Sequence, residues 1–287
     1  VNEPGEIRTY GQAVAVVTGG ASGIGAALSR ALARRGSVVV VSDRQLDGAR
    51  ETSRAIEQSG GQAEAVEADV RDAQRIASMI EHVWEQHGRL DYLFNNAGIG
   101  VGGETLQCSL DDWRYIVDVN LMGVVHGIQA AYPRMVQQGF GHIVSTASMA
   151  AFMPTPFTAS YGATKAAVVG LTRALRIEAA PYGVRVSALC PGVIRTPILA
   201  GGRFGRIKIE MPIQKQLENW ERLRPMDPAL FAERVLDQVA ANREIIIVPS
   251  WWKLIWWINR LTPQLFSRFA ARAYRDMKKQ IGDADHA

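Results

Sequence analysis

"AVAVVTGGASGIGAAL", residues 13–28, begins as an apolar run, passes through a glycine-rich turn and continues in small and aliphatic residues. The run predicts a strand at 13–18 covered on both faces, because its apolar positions are consecutive rather than alternating. Gly19, Gly23 and Gly25 follow as G-x-x-x-G-x-G, and an amphipathic stretch predicts a helix over 24–35. A strand, a glycine turn and a helix N-terminus in this order suit a phosphate. Glycine lets the ligand approach the backbone, and the helix dipole favours its negative charge. The spacing is not G-x-G-x-x-G, so the order of elements carries the reading.

The same rhythm continues to about residue 248. "SVVVVS" (37–42), "AEAVEA" (63–68), "LDYLFNN" (90–96), "HIVSTAS" (142–148), "VRVSALC" (184–190) and "EIIIVP" (244–249) read as strands. Helical stretches lie between them at 47–59, 72–87, 110–137 and 158–180. Such alternation implies an α/β fold, a doubly wound parallel sheet of about seven strands with helices on both faces and right-handed crossovers. Residues 1–250 form one predicted domain and 251–287 a separate helical tail. The second strand ends at "VVSDR", where the Asp43 carboxylate can accept hydrogen bonds from both hydroxyls of an adenosine ribose. Its charge opposes a 2′-phosphate, so NAD is expected over NADP, with Arg44 as the opposing consideration.

A second stretch bears on chemistry. "ASYGATKAA" (159–167) places Tyr161 and Lys165 one helical turn apart on one face. An ammonium near a phenol favours phenolate and lowers an ordinary pKa of about 10. The pair therefore reads as an acid–base device when the rest of a site is present.

Composition narrows the classes. The chain has 287 residues, 47% hydrophobic and 21% charged, as in ordinary globular proteins. Cys108 and Cys190 match no disulfide framework or zinc spacing, and histidines 82, 87, 126, 142 and 286 are scattered, so no metal is assigned. The start lacks a basic, apolar leader, and no apolar stretch reaches the ~18 residues of a membrane span. A cytoplasmic, reduced setting is expected. From residue 251 onward seven Lys and Arg face three Asp, which accounts for the whole net charge of +4. A neutral body argues against nucleic acid.

Taken together, "TGGASGIG", "ADV" (68–70), "NNAG" (95–98), "VNLMG" (119–123), Ser148, "YGATK" (161–165) and "PGVIRTP" (191–197) resemble the short-chain dehydrogenase/reductase family of single-domain, Rossmann-type enzymes. The resemblance runs from about residue 12 to 248. It implies a hydride-transferring oxidoreductase with Tyr161 as general acid or base. Lys165 would hold the nicotinamide ribose, Ser148 would bond the substrate oxygen, and Asn120 would bind a water linking Lys165 to solvent. It further implies cofactor contacts from Gly19, Ser22, Gly23, Ile24, Gly25, Asp43, Arg44, Asp69 and Val70. The remaining implied contacts come from Asn96, Ala97, Gly98, Pro191, Gly192, Val193, Ile194 and Thr196, with Asn95 alongside. Family members form dimers or tetramers through helices matching 110–137 and 158–180.

In the family, substrate lies under the segment after "PG", here 198–225, which is apolar and carries glycine hinges in "AGGRFG". With Met149, Phe152, Phe157 and Phe204 it suggests a lipophilic secondary alcohol or ketone. The rival readings are an NADPH-dependent ketone reductase and a catalytically idle scaffold acting through its tail.

The tail holds four of the chain's seven tryptophans within "WWKLIWW" (251–257). On the following helix, Phe266, Phe269, Ala270, Ala273, Met277 and Ile281 fall on one face and Arg268, Arg272, Arg275 and Lys279 opposite. That pattern suits peripheral contact with a membrane surface. It equally suits an arm packing on a partner subunit or capping the substrate mouth, and both readings stay open.

Overall fold

A computed structural model describes residues 6–200, 205–209 and 213–282. Its strands are β1 (Val14–Thr18), β2 (Val38–Asp43), β3 (Gln62–Glu67), β4 (Tyr92–Asn95), β5 (Gly100–Gly102), β6 (Gly141–Thr146), β7 (Val184–Pro191), β8 (Gly205–Ile207) and β9 (Ile245–Val248). The helices are α1 (Gly23–Arg34), α2 (Leu46–Gln58), α3 (Ala73–His87), α4 (Leu110–Val117), α5 (Gly123–Gln138), α6 (Ala159–Ala179), α7 (Ile213–Glu221), α8 (Pro228–Ala240), α9 (Trp252–Leu261) and α10 (Pro263–Gly282).

Seven strands form one all-parallel sheet in the order β3-β2-β1-β4-β6-β7-β9. Alternate residues of β1 feed two separate cores. Val14 and Val16 pack with Ile76, Ile128 and Val168 from α3, α5 and α6. Ala15 and Val17 pack with Leu28, Ile56 and Leu236 from α1, α2 and α8. This is why the strand is apolar at consecutive positions. The order reverses between β1 and β4, so a crevice opens at their C-terminal ends, where such sheets bind ligands.

The structure adds two features. The stretch expected as one helix over 110–137 is two, joined by a π-helical turn at Asp118–Met122 that contains Asn120. Such turns inside helices are frequent at functional sites. A small second sheet pairs β5 with β8, which ties part of the expected lid to the body. Arg206 of β8 also bonds Asp111 and Asp112 on α4, holding the Asp112 carboxyl well below the usual range.

Candidate active site

The glycine turn forms a cradle at the end of β1. Gly19 and Gly23 adopt φ of 66° and 54°, conformations that glycine reaches without steric cost. Ser22 caps α1 in extended geometry with no side-chain capping bond. A Cβ on Gly25 would lie 2.1 Å from the Gly19 carbonyl oxygen, so only glycine lets α1 start this close to the turn. Asp43 ends β2 beside it. Its two oxygens accept from Ala21 N at 3.1 Å and Gln45 N at 2.9 Å, and each keeps a lone pair for a further donor. The set fits a dinucleotide: backbone N–H groups for the pyrophosphate and a carboxylate for the ribose.

The neighbouring groups converge on this crevice. Asn96 N and Ala97 N donate to Thr18 Oγ1 at 3.0 and 3.1 Å, and Asn96 Nδ2 donates to Thr18 O at 3.0 Å. Asp69 is bonded by Arg71 at 2.6 Å, which holds its carboxyl below the ordinary range. The Val70 carbonyl pairs with His126 Nδ1 at 2.8 Å. A Cβ on Gly23 would touch Thr196 at 3.3 Å, so the start of α1 meets the turn after β7. That turn is pinned by Met226, whose N donates to Val193 O and whose carbonyl accepts from Arg195 N. Ile194 bridges to the same residue. Arg44 lies 3.4 Å from the Tyr115 hydroxyl.

The acid–base pair stands on the first turns of α6. Helical spacing brings Lys165 one turn below Tyr161, with Nζ 5.7 Å from the ring centroid. Lys165 is buried, and its Nζ donates to Thr146 O at 2.8 Å. A Cβ on Gly98 would lie 3.3 Å from both Lys165 Nζ and Asn120 Oδ1. Asn120 clamps Ile99, accepting from its N at 2.8 Å and donating to its carbonyl at 3.0 Å, and also donates to Thr164 Oγ1. Its side chain is thereby committed to the Ile99 backbone and the Thr164 hydroxyl. Ser148 accepts from Ala150 N at 3.1 Å, and its hydroxyl stands beside the Tyr161 phenol.

Here the structure corrects one expectation. The Tyr161 phenol is raised above its ordinary value, not lowered: burial pushes it up, and the neighbouring Ser148 hydroxyl only partly opposes this. Lys165 is itself pushed down to about 8 by burial, and its ammonium is turned to Thr146. Desolvation dominates where the ammonium was expected to lower the phenol. Cys190 lies buried behind this pair, its thiol pushed up to about 12 by burial, which fits a core residue.

The loop after β6, expected to meet substrate, is packed against the chain's own tail. Met149 is buried in the core, and Phe152 packs on Trp256 with centroids 5.8 Å apart. Phe157 is buried against Tyr274 at 5.1 Å, while Phe204 lies outside the described residues, as do Gly201 and Gly202. Trp252 rests on Gly192. The side of α10 turned to the body is offset from that apolar stripe. Its partly buried residues include Phe266, Ala270, Tyr274, Met277 and Ile281, whereas Phe269 is 62% exposed and Ala273 is exposed too. Tyr274 turns inward because it meets Phe157 and bonds Glu104 at 2.9 Å.

With this geometry in place, comparison with known proteins is decisive. The profile of the short chain dehydrogenase family matches residues 13–203. This chain belongs to the short-chain dehydrogenase/reductase family. It is 40% identical over 187 residues to 3beta-hydroxysteroid dehydrogenase 1 of Eggerthella lenta, covering 64% of this chain and 72% of that one. It is 34% identical over 260 residues to "Probable oxidoreductase EphD" of Mycobacterium tuberculosis, which covers 89% of this chain but only 44% of that protein. A Burkholderia phymatum short chain dehydrogenase/reductase solved with NAD superposes with a TM-score of 0.80 at 29% identity, covering 90% of this chain and 96% of that one. A Beutenbergia cavernae chain solved with bound NADP gives 0.74 at 33%, covering 84% and 97%. Solved dehydrogenases of this kind thus carry either dinucleotide.

Two residues of the candidate site were missed in the sequence. Thr18 gathers the "NNAG" segment onto β1, and Thr146 receives Lys165. Thr18 sits immediately before the glycine turn, a position that could have drawn attention; the use of the Thr146 backbone carbonyl leaves no trace in side-chain identity.

Proposed function

We propose that this oxidoreductase transfers a hydride between NAD(H) and a lipophilic secondary alcohol or ketone. The observation that carries the reading is Tyr161 with the Ser148 hydroxyl beside it and buried Lys165 one helical turn away, its Nζ 5.7 Å from the phenol ring centroid. The bound nicotinamide would supply or accept the hydride. Hydride arrival at a carbonyl builds negative charge on oxygen. Ser148 donates a hydrogen bond to that oxygen and Tyr161 delivers the proton; in oxidation Tyr161 removes it. Lys165 has donors beyond the one given to Thr146, which can hold ribose hydroxyls. Asn120 positions the Ile99 backbone beside it.

Asp43 supports NAD over NADP, since its carboxylate ends β2 at the ribose position. Arg44, with Arg71 nearby, supports the alternative of an NADPH-dependent ketone reductase. Affinities for the two cofactors, measured by calorimetry, separate these readings. The catalytic reading is tested by nicotinamide absorbance with secondary alcohols, beside a Tyr161→Phe control.

The outward face of the tail supports a contact beyond the small molecule. Trp251, Leu254, Trp257, Ile258 and Leu261 are exposed there, with Lys253 and Arg260 alongside. Among the described residues no helix is long and apolar enough to cross a membrane. Apolar residues beside cations suit the surface of an anionic membrane.

A further inference from the structure

Three loops surround Ser148 and Tyr161 at the C-terminal edge of the sheet, and the tail touches all of them. At the turn after β7, Trp252 lies on Gly192 so closely that a Cβ there would stand 2.1 Å from indole Nε1. Along the loop after β6, Trp256 packs on Phe152, and Asn259 Nδ2 donates to the Phe152 carbonyl. Phe157, at the end of that loop, is covered by Tyr274. Beyond β5, Glu104 accepts from Tyr274 at 2.9 Å and pairs with Lys278 at 2.9 Å. Phe157 also bonds this strand's exit, its carbonyl accepting from Gly103 N at 2.7 Å.

The contacts are one-sided. On α9, Trp252, Ile255, Trp256 and Asn259 face the body, and Trp251, Leu254, Trp257 and Ile258 face away. Helical periodicity alone separates the neighbours Trp256 and Trp257 onto these opposite faces. Aromatic side chains thus reach inward from the arm at Phe152 and Phe157, the two phenylalanines on the segment that joins Ser148 to Tyr161.

We propose that the α9–α10 arm is the outer wall of this chain's own substrate site, and that Trp256 and Tyr274 set the size of substrate admitted to Ser148 and Tyr161. The inference rests on the oxidoreductase reading above and deepens it. The wall binds by shape: Phe152 and Trp256 offer apolar surface on one side, Phe157 and Tyr274 on the other. The Glu104 contacts fasten the far end of the arm, so a bulky substrate must displace aromatic rings rather than enter a preformed channel.

The test uses the full chain. Secondary alcohols of increasing length and ring size are oxidised with NAD by the wild type, Trp256→Ala, Tyr274→Ala and, as outward control, Trp257→Ala. The expected result is a shift of about tenfold in relative kcat/KM toward the bulkier alcohols in the first two variants. NAD affinity measured by calorimetry stays the same, and Trp257→Ala keeps the wild-type profile. An unchanged size profile in both inward variants overturns the wall. A wild type that binds NAD but oxidises none of these alcohols defeats the substrate reading instead. The wall is then judged by amide exchange at 149–157: Trp256→Ala must speed it about tenfold, and unchanged exchange overturns it.

Discussion

Lys165 Nζ and the Thr146 carbonyl oxygen form a buried 2.8 Å hydrogen bond at the floor of the candidate site. It joins the first turns of α6 to the end of β6, and so fixes the helix that bears Tyr161 against the strand that leads to Ser148. The ammonium is held almost out of solvent with few partners among the described groups, and burial pushes it down to about 8.

Replacing this cation exposes a conflict between stability and activity. Lys165→Met should fold at least as stably as the wild type near pH 7, because it removes a desolvated charge. Turnover should fall by about a hundredfold or more. The sign also fixes a pH window. Between about 8 and the ordinary lysine value the unfolded chain binds the proton that the folded chain has lost, so this group adds stability as pH rises. Denaturant titrations from pH 7 to 10.5 should show that increment in the wild type and not in Lys165→Met.

His142 makes the opposite limb. It is wholly buried, its Nε2 meets Ser187 Oγ at 2.8 Å and its Nδ1 has no partner among the described residues. Because Ser187 donates its own proton to the Arg243 carbonyl, His142 serves as donor through Nε2. Burial first, then Arg185 and Arg176, push its pKa down to about 3. Below the unfolded histidine value the unfolded chain takes up a proton that the native state refuses. Stability from this group is therefore lost as pH falls from about 6.5 toward 3, at about 1.4 kcal/mol per pH unit. His142→Gln keeps a donor for Ser187 and should flatten the acid limb of a stability–pH curve.

Gly192 and Trp252 should be energetically coupled. Gly192→Ala pushes a methyl into the indole and should cost roughly 1–3 kcal/mol as overpacking. Trp252→Leu removes the obstacle, so the double variant should be less destabilised than the sum of the singles. Thermal unfolding of the four proteins measures the coupling, and strict additivity would place the two residues apart.

The outer face of α9 is tested by vesicle sedimentation. Wild type should bind vesicles rich in anionic lipid and release them in high salt, while Trp257→Ala with Leu254→Ala binds less. Equal recovery in the supernatant with and without anionic vesicles would remove membrane contact from the account.

Much of this was legible in residue order. Consecutive apolar residues in 13–18 and 37–42 announced strands between two layers, and the described elements begin and end within two residues of most expectations. Tyr161 and Lys165 were legible because helix periodicity alone puts them on one face. What sequence could not show was direction. Whether Lys165 turns to Tyr161 or to Thr146 depends on the backbone of another element, and the balance of burial against charge decides the Tyr161 shift. The arm was equally obscure. Its apolar and basic stripes fit a membrane, a subunit or the body. Only the fold brings Trp252 to Gly192 and Tyr274 to Phe157.

The central claim is that the Tyr161 phenol is the proton-transferring group, and NAD-dependent oxidation of a lipophilic secondary alcohol tests it most directly. Because burial raises the phenol, wild-type turnover should climb with pH through the neutral and alkaline range, as more of the base form becomes available. Tyr161→Phe should lose about a hundredfold or more at every pH while keeping its NAD affinity. A Tyr161→Phe protein that turns over at the wild-type rate, with the same pH profile, would contradict the account.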